Sequence, residues 1–437
     1  MAHRFGAVTR PHWSAALRSG AAVVLIPFFL SGCGSRGDDA HVVRFWAMGR
    51  EGEVVTQLLP AFERSHPGIR VDVQQLPWSA AHEKLLTAFA GNSTPDLCQL
   101  GNTWIPEFVA LNALVALDAR VAASSIVDGR DYFPGIWDTN RVAGKLYGVP
   151  WYVDTRLLFF RRDLLAQAGF SAPPRSWSEW TAMLAAIKER GIRDQYGLVL
   201  PANEFEPLVA FALQQDDPLL RDDGRYGNFE SPGFQRALEF YVDMFRHGYA
   251  PPSTNADVSN VWNEFGRGYF TFYISGPWNI GEFQRRLPKE LQQSWMTAPL
   301  PGPEGPGASI AGGSSLVMFA RARDKTAAWQ LIEYLSQPAV QQRFHDLTGD
   351  LPPRRSAWTA GPLAEDIHAR AFRDQLERVK ATPKVPEWER IANEIRLVAE
   401  RVVHGDLTVA QATRELDART DRILEKRRWM LERGGAP

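Results

Sequence analysis

Strand and helix periodicities alternate along the chain from residue 41 onward, and that alternation restricts the fold to the α/β class before any motif is read. Val42-Val43-Arg44-Phe45-Trp46 is a short β-like run. Helical spacing follows at Val55, Leu58, Leu59 and Phe62 and stops at His66-Pro67-Gly68. Ile69, Val71 and Val73 then alternate with Arg70, Asp72 and Gln74, the period of a strand. Such a β-α-β opening predicts a parallel sheet with right-handed crossovers. Ser176 and Glu179 form a capping box ahead of Trp180, Met183, Leu184 and Ile187, and Gly191 closes that helix. Ser231-Pro232 opens a helix with Phe234, Leu238, Tyr241 and Phe245 on one face, and Asp324 caps another carrying Ala328, Leu331, Ile332 and Leu335. Ile391, Ile395, Val398 and Val402 form a late stripe, followed by Gly405 and a basic helix through Arg427 and Arg428 that reads as a solvated face.

The residues before 41 follow different physics. Arg4, Arg10 and Arg18 precede the apolar run Ala21 to Leu30, which is too short to span a bilayer and reads as a secretory signal. Leu30-Ser31-Gly32-Cys33 directly after it has the form of a bacterial lipobox, with Cys33 lipidated and first in the mature chain. Gly34 to Asp39 is then a polar tether. The only other cysteine is Cys98, so a lipidated chain has no intramolecular disulfide and relies on the size of its core. At 437 residues that core fits two large lobes or two to three domains. Lys and Arg total 49 against 50 Asp and Glu, a balance that argues against nucleic-acid binding.

Catalytic signatures are sparse. No glycine-rich stretch runs into Lys-Ser or Lys-Thr, so no phosphate cradle is present. His82-Glu83 has Leu86 where a zinc helix needs its second imidazole, and Gly312-Gly313-Ser314-Ser315-Leu316 lacks the closing glycine of a nucleophile elbow. Carboxylate pairs such as Glu204 and Glu206 could serve glycoside hydrolysis, but a chain with 50 acidic residues offers many such pairs by chance.

Nine short patterns do occur in an informative order: Phe45-Trp46; Phe62-Glu63 before Pro67-Gly68; Pro95-Asp96-Leu97; Gly144-Lys145-Leu146-Tyr147-Gly148-Val149-Pro150; Phe160-Arg161-Arg162-Asp163-Leu164-Leu165; Gly276-Pro277-Trp278; Pro301-Gly302-Pro303; Gly312-Gly313; and Gly405-Asp406-Leu407-Thr408. Over residues 41–430 the chain resembles the bacterial extracellular solute-binding proteins of carbohydrate ABC importers, the family that includes maltose- and trehalose/maltose-binding proteins. The resemblance implies an α/β, two-lobe periplasmic-binding-protein fold with a hinge crossed by several chain segments and a ligand cleft between the lobes. On that plan residues 1–32 are the signal peptide and 33–40 the lipidated cysteine and tether. Residues 41–150 and 315–350 form one lobe, and 151–314 and 351–437 the other. It further implies a monomeric, lipid-anchored periplasmic receptor without catalysis, cofactor or metal, whose partners are a carbohydrate and the permease with its ATPase.

Family contacts carry over residue by residue. Trp46, Asn102 and Tyr152 fall beyond the carboxyl ends of strands, where open α/β sheets bind ligands. Glu51 matches an acidic contact to sugar hydroxyls and could equally be a charge favoured at a helix N-terminus. Asn102-Thr103-Trp104 follows the Pro95-Asp96-Leu97 strand, with Gly101 standing where relatives often place an Asp. Tyr152 and Asp154 match a Tyr-x-Asp pair, with Arg156 at hand to neutralise Asp154. Glu206 resembles an acidic contact in the second lobe, and Trp278 a stacking tryptophan whose alternative is core packing. Gly313 and Ser314 offer a close backbone approach to the ligand, or simply a turn. Near the C-terminus Thr382, Pro383 and Trp388 stand where some disaccharide binders offer an arginine, and no contact transfers. The expected cargo is a disaccharide such as maltose, trehalose or sucrose. Glycerol-3-phosphate or a phosphodiester held by Arg156, Ser314 and Ser315 is the alternative within the family, and an envelope-tethered glycoside hydrolase using Glu51, Asp154 or Glu206 the alternative outside it.

Overall fold

The computed structural model describes residues 41–190, 195–252 and 260–433. The secretory signal, the lipidation at Cys33 and the helix stop at Gly191 lie outside the described residues. Nine strands build two sheets: β1 (His41–Met48), β2 (Ile69–Leu76), β3 (Leu97–Gly101), β4 (Gly148–Asp154), β5 (Leu157–Arg161), β6 (Tyr196–Val199), β7 (Phe270–Ser275), β8 (Trp295–Ala298) and β9 (Gly312–Met318). The first sheet has the order β2-β1-β3-β9-β4 and the second β8-β5-β7-β6. This is the α/β, two-lobe arrangement expected from the sequence.

The expected parallel sheet is only half of the first one. β1 pairs in parallel with β2 and β3, as the β-α-β opening requires. β9 returns from the second sheet and enters between β3 and β4, antiparallel to both, so the sheet is mixed. A strand that comes back across a hinge, rather than over a helix, has no crossover to keep it parallel.

Alternation along each strand separates two apolar layers. Phe45 and Ala47 face the helices Leu59–Ser65, Lys325–Leu335 and Pro338–Thr348, burying Phe62, Leu331, Ile332 and Phe344. Met48, Cys98 and Leu100 face Trp78–Ala90 and Ile105–Ala110, burying Leu85, Ile105 and Phe108. The second sheet is covered in the same way. Leu158, Phe160 and Phe272 pack on Trp180, Phe211, Leu238 and Ile395, while Phe159 and Trp295 pack on Phe265, Phe283 and Phe372. Ser231 and Asp324 cap their helices as read from sequence. Ser176 accepts the Glu179 N–H, but the Glu179 carboxylate accepts from the Arg175 N–H at 2.7 Å, one residue outside the capping box.

The chain passes from the first sheet to the second between Asp154 and Leu157 and returns at Ala311–Gly312. It passes a third time after Thr348, where Leu351 bridges Val153. At the second passage β9 lies so close to β4 that a Cβ on Gly313, whose φ is +126°, would stand 2.3 Å from the Tyr152 carbonyl oxygen. Gly313→Ala is therefore expected to lower stability by about 2 kcal/mol. Gly305→Ala, with nothing within 4 Å of its added Cβ, should change it by less than ~0.5 kcal/mol. Urea midpoints of the two variants compare them directly, and equal midpoints would refute the steric argument.

Candidate functional site

A cleft of about 480 Å³ opens where the strands of the first sheet end and several helices of both sheets begin. Gly101 ends β3, Asp154 ends β4, and Gly312 to Ser314 begin β9. Glu51, Glu206, Trp278 and Glu389 lie in the first turns of their helices, three of them carboxylates placed where the helix dipole favours negative charge.

Arg156 is the centre of its hinge-side wall. Its side chain is 8% exposed, donates to Asp154 Oδ1 at 2.6 Å and to Glu206 Oε1 at 2.9 Å, and lies 5.0 Å from the Trp278 ring centre. Burial pushes the Asp154 carboxyl above its usual range against the pull of Arg156, and the two carboxylates hold the Arg156 guanidinium firmly charged. Trp278 is 39% exposed, not core. Its ring lies over Gly276, where any Cβ would collide with the indole at 1.9 Å.

A second cluster sits on the first sheet. Gln99 ties the backbone to the cleft: its Oε1 accepts the Met48 N–H at 2.7 Å, and its Nε2 donates to the Tyr152 hydroxyl at 3.1 Å. Ser314 Oγ donates to the same hydroxyl at 3.1 Å. Glu51 lies beside Tyr152 and the Trp78 indole N–H, both of which favour its charged form, yet burial holds its pKa above the ordinary carboxylate range. Burial, and then the charge of Glu51, push Asp350 well above that range. Burial beside a second acid thus favours the neutral form of Asp350.

The third cluster joins the helix Trp78–Ala90 to the helix Trp388–Val403. His82 Nε2 and Glu107 Oε2 are 2.6 Å apart, which raises the His82 pKa, and the imidazole packs on Trp104. Glu389 faces this pair across the cleft edge. Its carboxyl is raised by burial and drawn back by the Thr103 hydroxyl, and its Oε1 has no hydrogen-bond partner among the described residues.

The structure thus gathers Glu51, Asn102, Thr103, Trp104, Tyr152, Asp154, Glu206, Trp278, Gly313 and Ser314 in one cleft. Asn102 gives its amide N–H to the Ala311 carbonyl at 2.8 Å, holding the second passage of the hinge. Trp46 stands apart. Strand alternation turns it with Met48 onto the helix Trp78–Ala90, where Lys84 lies 5.3 Å from its ring. The aromatic presented instead is Trp78, 37% exposed and edge-on to Trp104 at 5.8 Å. Asp350 and Glu389 also line the cleft without having been read from sequence, as does Phe205. One signal was available for Trp78: Pro77 before it marks a helix start at the end of β2. Among the described residues no group of His, Cys, Asp and Glu is placed to hold a metal ion.

The family model for bacterial extracellular solute-binding proteins matches residues 48–342. The solved sugar-binding protein MalE of the phytopathogen Xanthomonas citri is 60% identical, with a TM-score of 0.87 over 90% of this chain and 99% of that one. The GacH receptor of Streptomyces glaucescens, solved unliganded and with acarbose, is 24% identical with a TM-score of 0.76 over 88% of this chain and 99% of that one. The diacetylchitobiose binding protein DasA of Streptomyces coelicolor is 22% identical over 84% of this chain and 88% of its own.

The Glu51–Asp350 pair generates a pH dependence. Both acids are raised in the fold, so their stabilising contribution is complete at a pH below the ordinary carboxylate value of about 4 and is lost as pH rises through the raised values. Asp350→Asn removes that loss. Its melting temperature without ligand should exceed that of the native protein by a few degrees near pH 8, with the gap narrowing towards pH 5. Calorimetric melting curves that stay parallel over this range would rule out a raised Asp350 carboxyl.

Proposed function

The chain belongs to the bacterial extracellular solute-binding protein family, and from that premise we propose that it is the receptor subunit of an ABC importer that captures a disaccharide such as maltose, trehalose or sucrose and presents it to the permease. It is a binding protein rather than an enzyme, as its family and its solved neighbours are. As an extracellular solute-binding protein it works outside the cytoplasm.

The observation that carries the sugar reading is the pairing of exposed indole with acceptor-rich polar groups in one cleft. Trp78 and Trp278 offer apolar faces of the kind a pyranose ring covers, and Glu51, Asp154, Glu206, Asp350 and Glu389 offer acceptors to hydroxyl donors. The volume of about 480 Å³ falls within the usual range for small-molecule clefts, ~300–1,000 Å³. The relatives bind saccharides by name, which supports the class and leaves the member open.

Charge favours a neutral sugar over glycerol-3-phosphate. Five acidic side chains line the cleft with one guanidinium, and Arg156 already holds two of them, so a phosphate would have to compete with Asp154 and Glu206 for it. Closure of the two lobes would follow from tighter contact with the ligand in the closed form. Lipidation at Cys33 would keep the receptor at the membrane face, and Cys33→Ala should move it from the membrane fraction to the soluble one.

Thermal unfolding against maltose, trehalose, sucrose, glucose and glycerol-3-phosphate tests the reading, because a ligand held by the native state raises the melting temperature. One disaccharide should give a saturable shift. Trp278→Ala should weaken its binding at least tenfold, about 1.4 kcal/mol, and Glu206→Gln should weaken it while freeing Arg156. A shift with glycerol-3-phosphate alone would transfer the protein to the phosphate branch, and hydrolysis of the bound disaccharide would overturn the receptor reading.

A further inference from the structure

A second cavity, of about 360 Å³, lies in the part of the chain built on the second sheet, between the loop 218–224 and the segment 381–385, and shares no lining residue with the cleft. Leu213, Leu219, Leu220 and Val385 supply its apolar wall, and Asp223, Thr382 and Lys384 a polar one, with Lys384 Nζ held by Asp138 at 2.7 Å. One wall carries Arg427, from the helix Glu425–Glu432, a residue only 6% exposed. Its Nε is buried and has no hydrogen-bond partner among the described residues.

The surroundings deepen this imbalance. Glu387 attracts Arg427 from a distance without forming an ion pair among the described residues, and its own Oε2 is buried without a partner. Arg225 adds a like charge nearby. Gly224 holds the loop tight against the group: a Cβ there would lie 2.8 Å from Val385 Cγ1 and 3.8 Å from Arg427 Nε. A guanidinium whose Nε is buried without a partner, and whose nearest counter-charge makes no ion pair with it, is unfavourable, and an anion seated against it lowers the penalty. With Lys384 held by Asp138, Arg427 is left to balance a single negative charge, whereas a phosphate dianion would leave excess charge beside Asp223 and Glu387. The planar fork of arginine matches a carboxylate through two parallel hydrogen bonds, and the apolar walls suit a short hydrocarbon body.

We propose that this cavity is a second binding site, separate from the sugar cleft, for a small monocarboxylate with a short apolar body held by Arg427.

Isothermal titration of the exported protein with hexanoate, hexan-1-ol and inorganic phosphate tests it. Hexanoate should bind saturably with a Kd below about 1 mM, while hexan-1-ol and phosphate should not. Arg427→Gln should weaken hexanoate at least tenfold and melt no lower than the native protein, because it removes an uncompensated charge. Leu219→Trp, which fills the cavity and leaves Arg427 in place, should abolish hexanoate binding. Absence of saturable hexanoate binding, unchanged affinity in both variants, or binding of phosphate in its place would each overturn the proposal. A fall in the melting temperature of Arg427→Gln, together with no hexanoate binding to the native protein, would assign Arg427 to Glu387 as a structural partner instead.

Discussion

A buried guanidinium is among the least favourable groups a fold can enclose, and the hinge is organised around one. Arg156 sits in the first passage between the sheets, and its position is tolerable because Asp154 and Glu206 both reach it. Asp154 ends a strand of the first sheet, and Glu206 begins a helix of the second. The Arg156 carbonyl also accepts the Ser309 hydroxyl at 2.7 Å, just ahead of the second passage. One residue thus ties two hinge segments through its carbonyl and both sheets through its guanidinium, which also lies against the Trp278 ring. The arrangement leaves the cleft acidic with its cation engaged, and the preference for a neutral hydroxylated ligand follows from the same contacts that hold the hinge.

The polar network on the first sheet has a complementary role. Gln99, Tyr152, Ser314 and Glu51 form a chain from the β1 backbone to the cleft surface. Such a chain fixes side-chain directions before any ligand arrives, which lowers the ordering cost of binding. Its end at Glu51 and Asp350 buries two acids, and burial followed by the Glu51 charge makes ionisation of Asp350 unfavourable. Hydroxyl donors from a ligand would offset that burial by hydrogen-bonding the charged form.

Much of this was legible in the sequence because it rests on local periodicity and on contiguous motifs. β1, β2 and the capped helices follow from spacing, and most cleft residues follow strands whose ends could be placed. What escaped depends on long-range closure. The antiparallel entry of β9 is set by a hinge passage, which leaves no periodic trace. Trp46 and Trp78 are separated by one rule applied at the right register: the face of β1 that bears Trp46 is already covered by the helix that Trp78 begins. Asp350 and Glu389 reach the cleft from turns and helix starts distant from the motifs. A glycine close in sequence seats two of the cleft tryptophans, Gly101 under Trp104 and Gly276 under Trp278. That pairing is a local signal with a steric cause: a Cβ on Gly276 would collide with the Trp278 ring at 1.9 Å, and one on Gly101 would press on the Trp104 ring at 3.3 Å.

The late arrival of β9 also governs when the chain can fold. The Gln99–Ser314 contact between β3 and β9 spans 215 residues, and the first sheet lacks a central strand until both have been synthesised. A sheet completed over such a separation forms slowly, because loop closure must precede the contacts that reward it. The strand that narrows the hinge therefore also sets the point along the chain before which the first sheet cannot be completed.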